Sequence, residues 1–169
     1  IRRILTFVCA LFAIASASAG EVVVGARDTS AYMAELRGRR VAVLANHTAM
    51  YRGDEHVVDM LYREGINIVG IFAPVRDDVD KKTGIAILSL YNGNTKRPSD
   101  SVMRSFDVLV VDMQDVGLRF YTYYISMLRM IDACADYGQR VIILDRPNPN
   151  GHYVDGPILD MRYKSGVGH

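Results

Sequence analysis

The sequence contains little cysteine and no excess of charge of either sign, and these shortages exclude several classes of protein. It has two cysteines in 169 residues, and twenty Lys and Arg residues nearly balance nineteen Asp and Glu residues. The net charge of +1 provides no basic stripe for binding phosphate backbones. No zinc-finger, aromatic-basic or RNA-binding signature is present either. We therefore expect no nucleic-acid partner.

Four motifs of familiar chemistry are also missing. The segment VVVGARDTS offers a lone glycine where a dinucleotide site needs GxGxxG, and there is no GxxxxGK[ST] phosphate loop. No GxSxG serine elbow occurs. The four histidines are scattered without HExxH, and a structural zinc site would lack cysteines. We therefore expect neither a cofactor nor a metal.

Residues 1–19 have the pattern of a signal peptide. Two arginines precede a short apolar run, and the segment ends in Ala-Ser-Ala, which is typical of a signal-peptidase site before Gly20. The less favoured alternative is a membrane anchor, because the run is shorter than the roughly 20 residues that span a bilayer. Cleavage removes Cys9 and leaves Cys134, so no internal disulfide is expected. We expect an exported protein, periplasmic or extracellular, without stable membrane insertion after cleavage.

Residues 20–169 alternate apolar strand-like segments with amphipathic helix-like segments, and this pattern predicts one domain. With 50% hydrophobic residues the chain can bury a sizeable core. The predicted helices are TSAYMAELRG, EHVVDMLYREG, SDSVMRS and FYTYYISMLRMIDACADYG, and the segment NHTAMYRGD is a predicted polar turn. The predicted strands are VVVGA, RVAVLA, INIVGIFA, IAILSLY, FDVLVVD and RVIILD. This alternation predicts an α/β fold with a mainly parallel sheet covered on both faces.

Polar residues follow three of these strands. In parallel sheets, ligands bind outside the carboxyl ends of the strands, so these residues predict a cleft. An aspartate at this position can instead cap the following helix, and Asp115, just before Gly117, fits either interpretation. The residues that follow the three strands are Asn46 and His47, then Asp112 and Asp115, then Asp145, Arg146 and Asn148.

Four long segments carry a family resemblance, and they are RVAVLANHTAM, KKTGIAILSLYNGNTKRPS, DVLVVDMQDVGLRFYTYYISML and ILDRPNPNGHYVDGPILDMRYKSGVG. In this order they resemble the N-terminal domain of the bacterial exo-β-N-acetylmuramidases, the family also called DUF1343. The resemblance runs from about Gly38 to the end of the chain. It implies a Rossmann-like three-layer domain that carries the active site, completed in the family by a smaller C-terminal domain. It also implies removal of terminal N-acetylmuramic acid from the non-reducing end of peptidoglycan fragments.

The resemblance gives the polar residues candidate roles. Glycosidases generally use two carboxylates, roughly 5 to 10 Å apart, and Asp112, Asp115 and Asp145 are the candidates. Arg119 and Arg146 are candidates for binding the lactyl carboxylate of muramic acid. Tyr121 and Tyr123 are candidates for stacking on the sugar, although a tyrosine run at helical spacing also fits core packing. Asn46, His47 and Asn148 are candidates for reading hydroxyl or acetamido groups.

The chain departs from the family pattern in two places. The family places FxPEHGFRG and a short acidic segment where this chain passes directly from Pro74 to Val75, so about a dozen residues and the candidate acid Glu are expected to be missing. Glu55 and Glu64 fall on a predicted surface helix and offer no replacement. The family also continues past KSGVGH, so we expect a domain truncated at its C-terminus. A lost general acid costs on the order of 10² to 10⁴ in rate, and we expect weak or absent hydrolysis.

Two alternatives to an impaired glycosidase remain open. One is a peptidoglycan-binding or sugar-binding module that keeps the cleft without chemistry. The other is a remnant that folds poorly because apolar surface is exposed. The sequence indicates no oligomeric state.

Overall fold

The computed structural model describes residues 22–73, 79–88, 90, 97–165 and 167. A 3₁₀ turn, Gly25–Arg27, precedes the first α-helix, and a second, Met161–Tyr163, follows the last strand. The helices are α1 Thr29–Leu36, α2 Val57–Arg63, α3 Asp100–Met103 and α4 Tyr123–Tyr137. The strands are β1 Val41–Ala45, β2 Met50–Arg52, β3 Glu55–His56, β4 Ile68–Phe72, β5 Ile87–Leu88, β6 Val108–Asp112 and β7 Arg140–Ile143.

Five of these strands form one parallel sheet in the order β5-β4-β1-β6-β7. The two central strands, β1 and β6, are buried at every position. Continuous burial arises because helices cover both faces of a parallel sheet, so both sets of alternating side chains are apolar. The α/β fold predicted from the sequence is confirmed.

Each face of the sheet has its own apolar layer, set by the two-residue period of the strands. Val41 and Val43 of β1 point into a layer that contains Leu36 of α1 and Leu61 of α2. Leu44 of β1 points to the other face. That second layer contains Phe106, Leu109 and Val111 from β6 and its approach, and Met130 and Cys134 from α4.

The predicted strand VVVGA is wrong. Residues 22–24 form no strand, and Gly25–Arg27 form a 3₁₀ turn. The turn is fixed by tertiary contact, because the Gly25 N–H donates to the Asp145 carbonyl at 2.7 Å. A β-carbon on Gly25 would lie 2.5 Å from the Asp145 nitrogen, so only glycine allows the two backbones to approach this closely.

The predicted polar turn after β1 contains a strand, and the helix after it begins later than expected. β2 and β3 form a two-stranded antiparallel hairpin around Gly53, whose φ is 54°. Glu55 therefore lies in β3, not on a helix. Helix α2 begins at Val57, where His56 is the N-cap and its ring Nδ1 accepts from the Val58 N–H. Likewise α4 begins at Tyr123 rather than at Phe120.

Two expectations fall outside the described residues: the signal peptide, at residues 1–19, and the junction after Pro74. Within the part of the chain that the structure describes, no helix is long and apolar enough to cross a bilayer.

Candidate functional site

The candidate site lies at the carboxyl ends of the parallel strands. The connections from β1 lead to β4 on one side of the sheet, and β6 lies on the other side. This reversal creates a crevice beyond the ends of β1 and β6, where α/β proteins bind ligands. Ala45 pairs with Asp112 in register, so Asn46 and Asp112 come together at the crevice although they are far apart in sequence.

Asp112 forms a buried ion pair with Arg146. Its side chain is 0% exposed and that of Arg146 is 8% exposed. The Arg146 Nε lies 2.5 Å from Asp112 Oδ1, and Nη2 lies 2.9 Å from Oδ2. Nη2 also donates to the Met50 carbonyl at 2.8 Å. Both carboxylate oxygens of Asp112 are thus engaged, and Arg146 ties β6 to the β2–β3 hairpin.

The side-chain amide of Asn46 is fixed through its oxygen, Oδ1, and its nitrogen, Nδ2, is a donor without a partner among the described residues. Its Oδ1 accepts from the Thr48 N–H at 2.9 Å and from the Thr48 hydroxyl at 2.5 Å. Thr48 Oγ1 in turn accepts from the Gln114 N–H at 3.1 Å, which directs the hydroxyl proton toward Asn46. The Asn46 Nδ2 is buried and has no hydrogen-bond partner among the described residues.

A cavity of about 350 Å³ opens beside Asn46, at the ends of β1, β4 and β5. Its polar lining includes His47, which is exposed, and His56, whose Nε2 lies 2.8 Å from the backbone carbonyl oxygen of Asn46. Both ring nitrogens of His56 are engaged, because Nδ1 also lies 3.3 Å from the Val58 N–H. The other charged residues of the lining are Asp59, Asp80, Lys81 and Lys82.

Asp80 is held as a carboxylate by the turn that follows it. Its Oδ2 accepts from the Thr83 N–H at 2.7 Å and from the Thr83 hydroxyl at 2.6 Å. Burial acts to raise the pKa of Asp80, but the hydrogen bonds from Thr83 outweigh it and hold the pKa below its ordinary value. The Asp80 charge at the cavity wall is therefore permanent at neutral pH.

A second, smaller cavity of about 130 Å³ lies at the ends of β6 and β7. Four predicted site residues line it together: Asp115, Tyr123, Asp145 and Arg146. Asp145 is exposed, while Asp115 is half-buried and its Oδ1 accepts from the Val116 N–H at 2.9 Å. The structure thus brings two of the three predicted carboxylates to one cavity, whereas Asp112 is buried and does not line it.

The remaining predicted residues lie on the surrounding loops and line neither cavity. Arg119 is exposed, and its Nη2 donates to the Pro157 carbonyl at 2.5 Å. The Tyr121 ring packs against Tyr123, with ring centroids 6.0 Å apart. Asn148 accepts from the Asn150 N–H at 2.9 Å through Oδ1.

Residues that sequence reasoning did not select also contribute to the site. Thr48 and Gln114 connect the ends of β1 and β6, and His56 and Asp80 line the larger cavity. Asp80 lies directly before the KKTG segment, and Lys81 is its first residue. The resemblance of this segment to the family was the sequence signal that could have indicated both residues. Nothing in the local pattern of His56 indicated a position at the cavity. Among the residues that the structure describes, no group of three His, Cys, Asp or Glu side chains is placed to hold a metal ion.

Solved structures similar to this one belong to the DUF1343 family. Two such proteins of Bacteroides fragilis NCTC 9343 match with TM-scores of 0.81 and 0.77, at 54% and 32% sequence identity. The first match covers 88% of this chain and 41% of that protein, and the second covers 86% and 40%.

Sequence comparison leads to the same family. The peptidoglycan beta-N-acetylmuramidase NamZ of Bacillus subtilis (strain 168) is 37% identical over 152 residues, which cover 81% of this chain and 36% of that protein. The chain thus spans about two fifths of the length of the relatives that it matches. The family profile described as exo-beta-N-acetylmuramidase NamZ, N-terminal, matches residues 41–169. The chain therefore belongs to the NamZ N-terminal family of exo-β-N-acetylmuramidases.

Proposed function

We propose that this chain is an exported domain that binds the non-reducing terminal N-acetylmuramic acid of peptidoglycan fragments, and that its glycosidase activity is impaired. Membership of the NamZ family supports the substrate class. The observation that carries the proposal is the presence of two cavities at the carboxyl edge of the sheet, one of sugar-binding size and one lined by two carboxylates.

The larger cavity has the dimensions of a ligand site. Pockets for small ligands generally measure about 300 to 1,000 Å³, and the cavity beside Asn46 reaches about 350 Å³. The cavity that contains Asp115 and Asp145 is about 130 Å³, which is too small for a pyranose ring. The sugar would therefore occupy the larger cavity.

Impaired hydrolysis follows from the available acids. Asp112 is buried, both of its oxygens accept from Arg146, and it lines neither cavity, so it is not placed to reach a glycosidic oxygen. Of the glutamates in the described residues, Glu35 lies 3.8 Å from Arg140, and Glu55 and Glu64 pair with Arg63. None of the three lines either cavity. Asp115 and Asp145 remain as candidate acid and base.

The test compares this chain with a version in which the family's FxPEHGFRG-type segment is inserted between Pro74 and Val75. Both are incubated with a chromogenic N-acetylmuramic acid glycoside. We expect turnover by the original chain to be lower by a factor on the order of 10² to 10⁴. A second inserted version with Gln in place of the segment's Glu is the matched control and should match the original chain. Equal, robust turnover by the original chain would contradict the impairment.

A non-catalytic binding module is the second candidate function, and the engagement of Asp112 by Arg146 favours it. It predicts saturable binding of muramic-acid fragments with no release of free sugar, measured by calorimetry and by sugar analysis of the same samples. A single cooperative thermal transition would argue against a poorly folded remnant. Export is tested separately by fusing residues 1–25 to a reporter that is active only outside the cytoplasm.

A further inference from the structure

We infer that the cavity beside Asn46 takes the acetamido group of an N-acetylated sugar, whose carbonyl oxygen accepts from the Asn46 side-chain amide. The inference rests on the proposed function, because it names the part of the saccharide that this cavity recognises. Three independent features of the cavity carry it: an unused donor, a lining whose charges cancel, and an apolar wall.

The donor is Asn46 Nδ2. Asn46 is 7% exposed, and Thr48 fixes the orientation of its amide by donating twice to Oδ1. The other end of the amide therefore cannot turn toward Thr48, and Nδ2 is left without a partner among the described residues. A buried donor without an acceptor is unfavourable, so a ligand carbonyl that reaches Nδ2 recovers this loss. Because Nδ2 is itself covered, that contact requires a small displacement of the wall.

The charges of the lining favour a neutral ligand group. Lys82 Nζ lies 2.5 Å from Asp59 Oδ2, so these two charges neutralise each other. Lys81 and Asp80 supply one further charge of each sign, so the two lysines and two aspartates of the lining balance. A carboxylate entering the cavity would lose hydration without meeting a net positive charge, and it would face Asp80. An amide carbonyl avoids both penalties.

The apolar wall accommodates a methyl group. The residues that form it are Ala45, Val58, Ile71, Ala73, Val79 and Ile87, from the ends of β1, β4 and β5, the start of α2 and the segment before Asp80. A group that presents a carbonyl oxygen and a methyl to opposite walls matches this combination, and the acetamido group has that structure. The lactyl group of muramic acid also carries a methyl, but its oxygens are anionic.

The experiment measures binding of four sugars to the full chain by calorimetry: N-acetylmuramic acid, muramic acid with a free amine, N-acetylglucosamine and glucosamine. We expect both N-acetylated sugars to bind at least about tenfold more tightly than their amines. N46D replaces the donor with an oxygen and keeps both hydrogen bonds from Thr48. It should weaken binding of the N-acetylated sugars about tenfold without weakening binding of the amines, whose ammonium groups the new carboxylate attracts.

The matched control variant is N67D, which makes the same chemical change at an exposed residue before β4, at the opposite edge of the sheet. It should bind all four sugars as the unaltered chain does. If N46D does not fold, the comparison of the four sugars on the unaltered chain decides alone.

The outcomes separate the inference from the proposed function. If N-acetylmuramic acid and muramic acid bind equally, the inference is overturned and the proposed function stands. If N-acetylglucosamine binds and N-acetylmuramic acid does not, the inference stands and the proposed substrate is overturned. If none of the four sugars binds, both are overturned.

Discussion

The guanidinium of Arg146 engages both carboxylate oxygens of Asp112, at 2.5 and 2.9 Å, and neither side chain is more than 8% exposed. Paired, bidentate geometry of this kind compensates for the removal of two charges from water. The pair joins residues from the ends of β6 and β7, and its third hydrogen bond reaches the β2–β3 hairpin. We conclude that Asp112 and Arg146 hold the site together.

Asp112→Asn should destabilise the fold strongly. The substitution leaves the Arg146 cation buried without a counter-charge, which typically costs about 3 to 5 kcal/mol. Urea unfolding of the chain and the variant measures the difference. Asp136→Asn removes the anion of an exposed pair with Arg97 and should leave the midpoint of unfolding unchanged. Equal effects of the two substitutions would contradict a structural role for the buried pair.

Gly117→Ala should disturb the loop that carries Asn148. Gly117 has φ of 68°, and an added β-carbon would lie 2.5 Å from Asn148 Oδ1. The variant loses about 1 to 2 kcal/mol of stability to backbone strain, and Asn148 must also give up its hydrogen bond from the Asn150 N–H. Chemical unfolding measures the sum.

Gly138→Ala separates the backbone strain of Gly117→Ala from its steric clash with Asn148. Gly138 has nearly the same φ, 67°, but nothing lies within 4 Å of the added carbon. It should therefore show the strain alone. In the Gly117→Ala chain, Asn148→Ala should remove the steric part of the cost; a cost that persists unchanged would contradict the contact.

Cys134 should be inert in the folded chain. Burial raises the pKa of its thiol to about 11, so the thiolate that reacts is scarce at pH 8. Since the fold favours the neutral thiol, this contribution to stability is present below the unfolded pKa and declines as pH rises toward 11. In a Cys9→Ser chain, Ellman's reagent should react rapidly only after denaturation. Rapid reaction with the native chain would show that the reagent reaches the apolar layer between α4 and the sheet, and it would contradict this prediction.

Asp107 should titrate in unusually strong acid. Side-chain hydrogen bonds from Arg40 lower its pKa to about 2, so the fold favours the carboxylate. The contribution to stability is present above the unfolded pKa, near 3.8, and is lost as pH falls toward 2. Carbon-detected NMR titration measures this pKa directly. Arg40→Ala should return the pKa toward its ordinary value, whereas Arg39→Ala, which removes only a more distant charge, should change it little.

The parallel sheet could be predicted from the sequence because its strands are buried on both faces and are therefore continuous apolar runs. RVAVLA and FDVLVVD contain β1 and β6 almost residue for residue. The errors occur where tertiary contacts override local pattern. VVVGA has strand-like residues, but Gly25 packs on the Asp145 backbone and the segment turns instead.

The site could be predicted only in part. The rule that ligands bind at the carboxyl ends of strands predicted a cleft at this edge, where Asp115 and Asp145 share a cavity, and their roles there stay predictions. The sequence could not indicate that Arg146 pairs with Asp112, because the pairing depends on the order of β6 and β7 in the sheet. For the same reason it gave no signal that His56 lies beside Asn46, since that contact requires the unpredicted β2–β3 hairpin.

The hydrogen bond from Gly25 to Asp145 also constrains when this domain can fold during synthesis. Ala26, next to Gly25, is fully buried, and the Tyr32 hydroxyl donates to its carbonyl at 2.7 Å. These contacts near the start of the domain are completed by backbone at the carboxyl end of β7, which is synthesised after the other strands of the parallel sheet. A nascent chain that has not reached Asp145 therefore lacks these contacts, and the apolar residues around Ala26 stay exposed until β7 is made.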